Sequence, residues 1–558
     1  MNDARLHAER AARQRLLNCY LRESGRSMTA TGDGLARVRL TAPGTALVVE
    51  LRHRSVFGHH AYGDETWLER PGEPRLSLAN REFMTLVLAE VEVVAAHAFP
   101  GIDGGARRSA ELIAHINGSI GATARYLRHD RLAHHGDAQS LTRTAEQSLV
   151  YGHPFHPTPK SIEGFGDELP RYAPELGASF RLHYFAVHPD AVLQRRVAPG
   201  PWLPPDVVDA VRGRPGIDGY ELLPVHPWQA NYLLRQPRVT DLVREGTLVA
   251  LGELGEPVYP TSSVRTVCDP SFPTSWKLPL HVRITNFVRN NPVEHLRRAA
   301  DAGALVAQLA PRWRHRGFAV LAETGFRGVD PARVGQDLAA DFAVVYRENP
   351  FADGRYAPRV VASLLEERVG GAPDLIAEVR RSAGAGGVTP EHVGQWLRRY
   401  LRISLLPLLD VFGSDGVSFE AHVQNSLLHT EDGWPARFWV RDMEGTSVSR
   451  DRLRNCELAP DSPLLYDDEE AWRRLRYHAV SNHLGHLVAV LGRFTDADEA
   501  RLWRVARECL LHAGGERAEA LINSPVLPAK ANLVSRFARR GEQPLYVDVP
   551  NPLFEVSR

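Results

Sequence analysis

The sequence predicts an α+β protein with several lobes, in which helical N- and C-terminal lobes enclose a middle lobe that contains β-strands. A chain of 558 residues is too long for one compact core, so more than one lobe is expected. The middle of the chain is rich in proline and has short runs of β-forming residues at 180–188, 247–251, 278–288, 316–322 and 341–346. After residue 386 the apolar residues recur at three- and four-residue spacing, which is typical of helices.

The predicted N-terminal lobe covers residues 1–145. Its segments 36–40 and 46–51 are rich in Val and Leu with polar residues between them, which indicates two strands. The segments 79–98 and 108–128 have the apolar spacing of helices. This lobe is therefore expected to be helical around a short β element.

The predicted middle lobe covers residues 146–385, and the predicted C-terminal lobe covers residues 386–558. Between them, residues 381–387 consist mostly of Gly, Ala and Ser, which predicts a flexible linker. The spacing in the C-terminal lobe predicts a strand at 438–440 and helices at 391–412, 468–493 and 498–513.

The charge balance and the cysteines exclude several classes of protein. Lys plus Arg and Asp plus Glu both number 67, and there is no long run of one sign, so a nucleic-acid partner is not expected. The four cysteines form no CxxC pair, which argues against a zinc cluster or a disulfide framework. The N-terminus has no signal-peptide pattern, and the apolar segment 83–98 is too short to cross a bilayer, so a cytoplasmic protein is predicted.

The first candidate site is the loop His-Pro-Phe-His-Pro-Thr-Pro-Lys at 153–160. Only three lysines occur in the chain, Lys160, Lys277 and Lys530, and this loop places one of them beside His153 and His156. Prolines stiffen the loop before a ligand arrives, so the imidazoles and the ammonium can be held towards an anion. A proline-rich connection with surface histidines is the alternative interpretation.

Two further clusters supply hydroxyls and cations. The turn at 260–266 carries Ser263, Arg265 and Thr266, and Lys277 follows it, a combination that suits a polyphosphate although no Walker A spacing is present. The run 281–289 alternates, which puts Thr285 and Arg289 on one face of a strand. A straight strand would separate Lys277 from Arg289 by about 40 Å, so both can serve one ligand only if the chain bends near Pro279.

The fourth cluster combines Glu420, His422 and Asn425 with Asp442 in the segment Arg-Asp-Met-Glu-Gly at 441–445. Glu, Asn and Asp provide the hard oxygen ligands that Mg²⁺ prefers. The imidazole of His422 is placed to contact a phosphate or a carboxylate. A similar His-x-x-Asn and Asp pattern binds Mg²⁺ in kinase-like phosphotransferases.

Together these clusters resemble the IucA/IucC family of NRPS-independent siderophore synthetases. The matching segments are GHPFHPTPKSIEGF at 152–165, HPWQ at 226–229, PTSSVRTV at 260–267, KLPLHVRITNFVRNN at 277–291, EAHVQNSLL at 420–428 and RDMEG at 441–445. The resemblance covers the chain from about residue 145 to its end, and the RDMEG segment looks most like the group that activates free citrate.

The resemblance implies a thumb, fingers and palm architecture, a homodimer, and a reaction in which Mg²⁺-ATP adenylates a carboxylate before an amine or hydroxyl displaces AMP. It implies that Lys277, Arg289 and His422 are catalytic. The other implied roles are ATP binding by Lys160, Ser263, Arg265, Thr266, Lys277 and Arg289, carboxylate binding by His153, His156, Thr285, Arg289 and His422, and metal binding by Glu420, Asn425 and Asp442.

Four alternatives remain open from the residues. The chain could be a small-molecule kinase built on His422, Asn425 and Asp442, a metallohydrolase, or a citrate-binding protein without catalysis. Within the family, α-ketoglutarate or a monoamide of citrate or succinate could replace free citrate. The nucleophile, which could be a polyamine, an amino acid or a hydroxylated amine, is not legible in the sequence.

Overall fold

The computed structural model of the chain describes residues 2–102, 104–129, 138–285, 287–454, 456–541 and 544–556. Helices and strands alternate along these ranges, and the predicted α+β class is confirmed. Among the described helices, none combines the length and the apolar character that a bilayer-spanning segment requires.

The N-terminal part is one antiparallel five-stranded sheet, with its strands in chain order, packed against helices. Its elements are α1 (Asn2–Ser24), β1 (Met28–Ala30), β2 (Leu35–Arg39), β3 (Ala46–His53), β4 (Ala61–Glu69), β5 (Leu76–Ser77), α2 (Asn80–Ala98), α3 (Gly105–His129) and α4 (Ala138–Gln147). Because side chains alternate along a strand, β2 and β3 turn Val38 and Leu47 into a core that they share with Tyr20 of α1 and Phe83 of α2. The strands predicted at 36–40 and 46–51 and the helices predicted at 79–98 and 108–128 are confirmed, but the β element is a sheet of five strands rather than a short one.

The middle part is built on an eight-stranded sheet in which every neighbouring pair is antiparallel. Its elements are β6 (Ile162–Glu163), α5 (Leu169–Tyr172), β7 (Phe180–Val187), β8 (Val192–Arg196), α6 (Pro205–Val211), β9 (Glu221–Val225), α7 (Pro227–Leu234), α8 (Pro237–Arg244), β10 (Leu248–Pro260), β11 (Thr266–Cys268), β12 (Thr274–Lys277), β13 (Leu280–Ile284), β14 (Phe287–Arg289), α9 (Val293–Leu309), β15 (Phe318–Val320), β16 (Glu323–Val329), α10 (Pro331–Val334), α11 (Gln336–Ala340), β17 (Val344–Glu348), β18 (Arg359–Val360), α12 (Val361–Leu365) and α13 (Asp374–Ala383). The order in the large sheet is β8-β16-β17-β12-β11-β10-β7-β9.

The bend predicted near Pro279 is present. β12 ends at Lys277 inside the eight-stranded sheet, whereas β13 begins at Leu280 in a separate three-stranded sheet with β14 and β6. The proline cannot donate a ladder hydrogen bond, so the chain leaves one sheet there and enters the next. Lys277 and Arg289 can therefore face the same space.

The C-terminal part is mainly helical, as predicted. Its elements are α14 (Pro390–Ile403), α15 (Leu405–Asp415), β19 (Val417–Ser418), β20 (Ser426–Glu431), β21 (Trp434–Val440), β22 (Ser447–Ser449), β23 (Leu465–Tyr466), α16 (Asp468–Leu475), a π-helical stretch (Arg476–Leu484), α17 (Gly485–Phe494), α18 (Glu499–Ala513), α19 (Glu516–Asn523), β24 (Val526–Lys530), α20 (Asn532–Phe537), β25 (Tyr546–Pro550) and α21 (Pro552–Glu555). The predicted helix at 391–412 is interrupted at Ser404, and the one at 468–493 contains the π-helical stretch.

The predicted linker at 381–387 is a tight connection between two packed helices. Residues 384–386 form a single 3₁₀ turn between α13 and α14. Val379 of α13 and Trp396 of α14 are both fully buried in the same hydrophobic core, which also takes in α9 and α15. The core therefore continues across residue 385, and the lobe boundaries at 145 and 385 stay predictions.

Candidate functional site

A cavity of about 1090 Å³ lies where the N-terminal, middle and C-terminal parts meet. All the side chains that the sequence singled out line this one cavity: His153, His156, Lys160, Ser263, Arg265, Thr266, Lys277, Thr285, Arg289, Glu420, His422, Asn425 and Asp442. Stretches of chain separated by up to 289 positions are thus brought to a single wall. The individual roles of these residues stay predictions.

The wall of the cavity is strongly cationic. Among the described residues, it contains ten arginines and all three lysines of the chain but only four carboxylates, Glu366, Glu367, Glu420 and Asp442. Carboxylates behind the wall, among them Glu146, Glu175 and Glu323, pair with some of these cations, but cations still outnumber acids at the surface of the cavity. Such an excess of cations raises the local concentration of anions and indicates anionic ligands.

Each His-Pro step of the chain forms the same local turn. The Nδ1 atoms of His153, His156, His188 and His226 accept hydrogen bonds of 3.0 to 3.3 Å from the backbone N–H two residues later. His422, which is not followed by proline, likewise accepts the N–H of Asn425 at 3.2 Å. A neutral ring whose Nδ1 is an acceptor carries its hydrogen on Nε2, so His156 and His422 present a donor to the cavity. His153 differs, because its Nε2 lies 2.7 Å from the side-chain amide nitrogen of Asn482.

The predicted carboxylate-binding histidines are neutral rather than cationic. Burial lowers the pKa of His156 to about 3, and burial also lowers the pKa of His153 and of His422. Burial therefore keeps these histidines from adding positive charge to the cavity. The lysines and arginines supply the charge, and the imidazoles supply directed hydrogen bonds.

The buried His226 makes stability depend on pH. Its ring is fully buried among Tyr172, Phe180 and Phe165, and burial lowers its pKa to about 3. Below pH 6.5 the imidazole of His226 binds a proton in the unfolded chain but stays neutral in the folded chain. The free energy of unfolding therefore falls by up to about 1.4 kcal/mol for each unit by which the pH is lowered.

We expect His226→Asn, which keeps an acceptor for the Trp228 N–H but cannot titrate, to have a shallower loss of stability between pH 6.5 and pH 4.5. The measurement is denaturant unfolding of both proteins across that range. Since the smaller side chain also costs packing at every pH, only the slopes are compared. Equal slopes would show that His226 does not control this pH dependence.

The loop at 149–160 is held by buried polar contacts on several sides. Both carboxylate oxygens of Glu366 accept backbone N–H groups, from Val150 at 2.6 Å and from Tyr151 and Gly152 at 2.9 Å. Asn532, at the start of α20, donates to the carbonyl of Phe155 at 2.8 Å. These contacts fix the loop in addition to its prolines.

Lys160 is engaged in this scaffold. Its Nζ donates to Glu175 Oε1 and to the carbonyl of Leu149, both at 2.5 Å, and its side chain is buried. The rare lysine therefore neutralises a buried carboxylate, which is a structural role. ATP binding by Lys160 remains a prediction that this pairing does not favour.

The turn that carries Ser263, Arg265 and Thr266 is tied to the C-terminal part through Glu146. This buried carboxylate accepts the N–H of Ser262 at 3.0 Å and its hydroxyl at 2.8 Å, and it forms an ion pair with Arg441. Although burial would raise it, the pKa of Glu146 lies below its usual range because Arg441 lies beside it. Glu146 thus holds the turn at 260–266 next to the segment at 441–445.

Lys277 lies at the centre of a buried charge network. Its Nζ contacts Asp442 Oδ1 at 2.5 Å and Glu444 Oε2 at 2.6 Å. Arg347, which also pairs with Glu323 at 2.9 Å, lies 3.4 Å from Asp442. Burial alone would lower the pKa of Lys277, but Asp442 and Glu444 outweigh it and raise the pKa above its ordinary value.

Arg289 differs from Lys277 because, among the described residues, it makes no ion pair with a carboxylate. Its guanidinium donates to the carbonyl of Ile284 at 3.1 Å and to the hydroxyl of Thr285 at 3.0 Å. Burial, with a smaller contribution from Arg265, lowers its pKa to about 10. An arginine held this way faces the cavity with unused donors. The carboxylates of Glu444, Asp442 and Glu420 act on it only without direct contact.

Backbone strain is concentrated beside these cations. Among the described residues outside glycine, five have a positive φ, and three of them belong to the site: Val264 at 69°, Thr285 at 58° and Asp442 at 72°. Residues with a Cβ adopt this region at a cost of about 1 to 3 kcal/mol each, and such residues cluster at functional sites. Val264 lies between Ser263 and Arg265, and Thr285 accepts a hydrogen bond from Arg289, so the strained positions adjoin the predicted ligand contacts.

The predicted metal ligands lie at the open end of the β20–β21 hairpin. Ser426 pairs with Val440 there, and the N–H of Arg441 donates to the carbonyl of Asn425 at 2.9 Å. The Asn425 amide donates to the Glu420 carbonyl at 3.2 Å, which leaves its Oδ1 for a ligand. The donor set of two carboxylates and one amide oxygen fits Mg²⁺ in its chemistry.

Glycine is required beside these oxygens at Gly445. A Cβ at that position would come within 2.2 Å of Glu420 Oε2, so a larger residue would displace the carboxylate. No group of three or more His, Cys, Asp or Glu side chains within the described ranges is arranged for a metal ion.

The sequence did not identify several residues of this site. Arg15 of α1, Glu146, Arg347 and Glu366 all lack a rare residue type or a distinctive spacing, and their importance comes from contacts made by folding. Lys530 also lines the cavity, and here the scarcity of lysine was a usable signal.

Comparison with known proteins gives consistent matches. A sequence model of the IucA / IucC family matches residues 141–366, and one described as ferric iron reductase FhuF-like transporter matches residues 394–545. The chain is 36% identical to the L-2,3-diaminopropanoate–citrate ligase of Staphylococcus aureus, over 98% of this chain and 96% of the relative. It is 29% identical to the spermidine-citrate ligase of Bacillus anthracis, over 99% of both.

The fold is also found in a solved structure. The ATP-bound aerobactin synthetase IucA of Klebsiella pneumoniae superposes with a TM-score of 0.83, covering 97% of this chain and 99% of that one at 24% identity. The predicted thumb, fingers and palm architecture is confirmed by this likeness.

Proposed function

The chain belongs to the IucA/IucC family, and we propose that it is an ATP-dependent ligase that joins citrate to an amine in siderophore biosynthesis. The observation that carries the proposal is the cationic cavity, in which thirteen Lys and Arg side chains oppose four carboxylates. Citrate and ATP are both polyanions, and bringing them together requires such compensation. The two citrate ligases named above share this acid and differ in the amine.

We propose an AMP-forming route. A carboxylate oxygen of citrate attacks the α-phosphorus of ATP and expels pyrophosphate, and the amine nitrogen then attacks the acyl carbon and expels AMP. Ser263, Arg265 and Thr266 would hold the phosphates, while Arg289 and the Nε2–H groups of His156 and His422 would hold citrate. Water must be excluded in between, and the meeting of three parts of the chain around the cavity favours this.

Mg²⁺ would be held by Glu420, Asn425 and Asp442, and it would supply charge compensation for the phosphates. In the structure Lys277 forms ion pairs with Asp442 and Glu444, so bound Mg²⁺ and the Lys277 ammonium would both contact the carboxylate of Asp442. With Asp442 bound to the metal, the ammonium of Lys277 could contact a phosphate of ATP instead. A homodimer is part of the same proposal.

The test is a panel of carboxylates with hydroxylamine as a surrogate nucleophile and pyrophosphate as the readout. We expect citrate to be preferred over α-ketoglutarate and succinate, with AMP as the second product. Hydroxylamine removes the need to know the natural amine. ADP with a phosphorylated acid, and no pyrophosphate, would replace the ligase with a kinase.

A further inference from the structure

Arg15 of α1 is a buried guanidinium that faces the cavity without an acidic partner. Its side chain is 7% exposed, and it donates through Nη2 to the carbonyl of Tyr151 at 3.1 Å. Its Nε has no hydrogen-bond partner, and within the described residues it forms no ion pair with a carboxylate. The carboxylate of Glu366 acts on Arg15 without contacting it, and that carboxylate already accepts three backbone N–H groups. A buried cation with unused donors costs free energy unless an anion pairs with it and accepts its hydrogen bonds.

The neighbouring arginines on this wall are engaged in other contacts. Arg10 forms an ion pair with Asp64, and Arg13 donates to the Asp64 carbonyl. Arg493 pairs with Glu367 at 2.5 Å. Arg13 still lies beside the carboxylate of Asp64, whereas Arg15 is buried and the carboxylate that acts on it, Glu366, is engaged by the backbone. The charge of Arg15 is therefore available to a ligand.

Arg15 lies close to the predicted citrate contacts but on another element. It bonds Tyr151, two residues before His153. Arg15 and Arg289 both lower the pKa of His156, after burial and Arg536, so both lie near the same imidazole. Arg15 and the turn at 261–266, which carries the predicted phosphate contacts, belong to different elements that line the same cavity.

We propose that Arg15 binds a carboxylate of the incoming nucleophile, so that the natural amine is an amino acid rather than a polyamine. The inference rests on the proposed ligase function and adds the class of its second substrate. A polyamine would need free carboxylates on this wall, but Glu366 accepts three backbone N–H groups and Glu367 pairs with Arg493. A carboxylate on the substrate would form an ion pair with Arg15 and accept its unused N–H groups, whereas a second ammonium would be repelled by Arg15.

The test compares amino acids with the diamines formed by removing their carboxylate. The pairs are L-2,3-diaminopropanoate with 1,2-diaminoethane, and L-lysine with 1,5-diaminopentane, each at saturating citrate and ATP. For the unmodified protein we expect kcat/KM to be at least about 30-fold higher for one amino acid than for its diamine, because a desolvated charge pair is lost with the carboxylate. Arg15→Gln, which can still donate to Tyr151, should reduce this ratio to within about threefold of unity.

Two further variants serve as controls. Arg15→Lys keeps a positive charge but loses the planar guanidinium, and it should retain more of the preference for the amino acid than Arg15→Gln does. Arg13→Gln removes a charge from the same helix and should leave the ratio intact. If none of the four amines is consumed, inhibition of the hydroxylamine reaction by the amino acids but not by the diamines provides the same readout.

Three outcomes separate the interpretations. A preference of the unmodified protein for a diamine or for spermidine would overturn the inference. A raised KM for citrate in Arg15→Gln, with the amine preference unchanged, would assign Arg15 to a spare carboxylate of citrate and also overturn it. Absence of pyrophosphate release with citrate and hydroxylamine in the unmodified protein would instead reject the proposed ligase function.

Discussion

Replacing Arg289 with alanine is expected to lower kcat/KM for citrate-dependent pyrophosphate release by about 30-fold to 5000-fold without destabilising the fold. The guanidinium has no acidic partner among the described residues, so its electrostatic interactions are available to substrate. Losing a buried charge contact to an anion costs about 2 to 5 kcal/mol. Stability should stay within about 1 kcal/mol, because removing a buried cation beside Arg265 offsets two lost hydrogen bonds.

The measurements are pyrophosphate release and denaturant unfolding on the same preparations. Arg289→Lys should give an intermediate rate, because an ammonium cannot form a bidentate contact with a carboxylate or phosphate. Arg283→Ala is the matched control, since Arg283 lies on β13 with an exposed side chain. Full activity in Arg289→Ala would remove this residue from the mechanism.

Replacing Lys277 with alanine is expected to abolish activity and also to destabilise the protein by about 3 to 5 kcal/mol. The ammonium is 3% exposed and neutralises Asp442 and Glu444, whose charges would be left uncompensated in the interior. The sequence alone predicts loss of activity without unfolding, and the ion pairs change this expectation. Denaturant unfolding and pyrophosphate release measure the two effects.

The double variant Lys277→Met with Asp442→Asn separates stability from chemistry. Removing one charge of each sign should recover part of the lost stability, since fewer buried carboxylates remain unpaired. Activity should not return, because both groups belong to the proposed site. A Lys277→Ala protein with unchanged stability would contradict the buried network, and an active one would exclude Lys277 from catalysis.

The local elements of the fold were predictable, whereas their pairing was not. Apolar spacing predicts α2, α3 and α18 because one face of each helix is buried in a core. The eight-stranded sheet could not be predicted, since β12 pairs with β17 some 70 positions later and nothing in either strand specifies the partner. The glycine-rich turn after α13 misleads for a similar reason, because packing on both sides decides whether such a segment is flexible.

The candidate site was predictable in its residue types and less so in its electrostatics. Rare lysines and strand alternation indicate Lys277 and Arg289. The sequence does not show that Lys160 is engaged by Glu175 or that burial keeps His156 neutral, because both depend on neighbours distant along the chain. Arg15 lies in a helix with many other charged residues, so its lack of an ion pair among the described residues becomes visible only after folding.

The loop at 149–160 is held by hydrogen bonds from residues that are far apart in the sequence. Arg15 contacts it at Tyr151, and Asn532 contacts it at Phe155. A chain is synthesised from its N-terminus, so the contact between this loop and Asn532 cannot form until residue 532 has been translated. The cavity therefore acquires its full set of contacts late in synthesis, and a chain that ends before residue 532 would contain the earlier motifs without this contact.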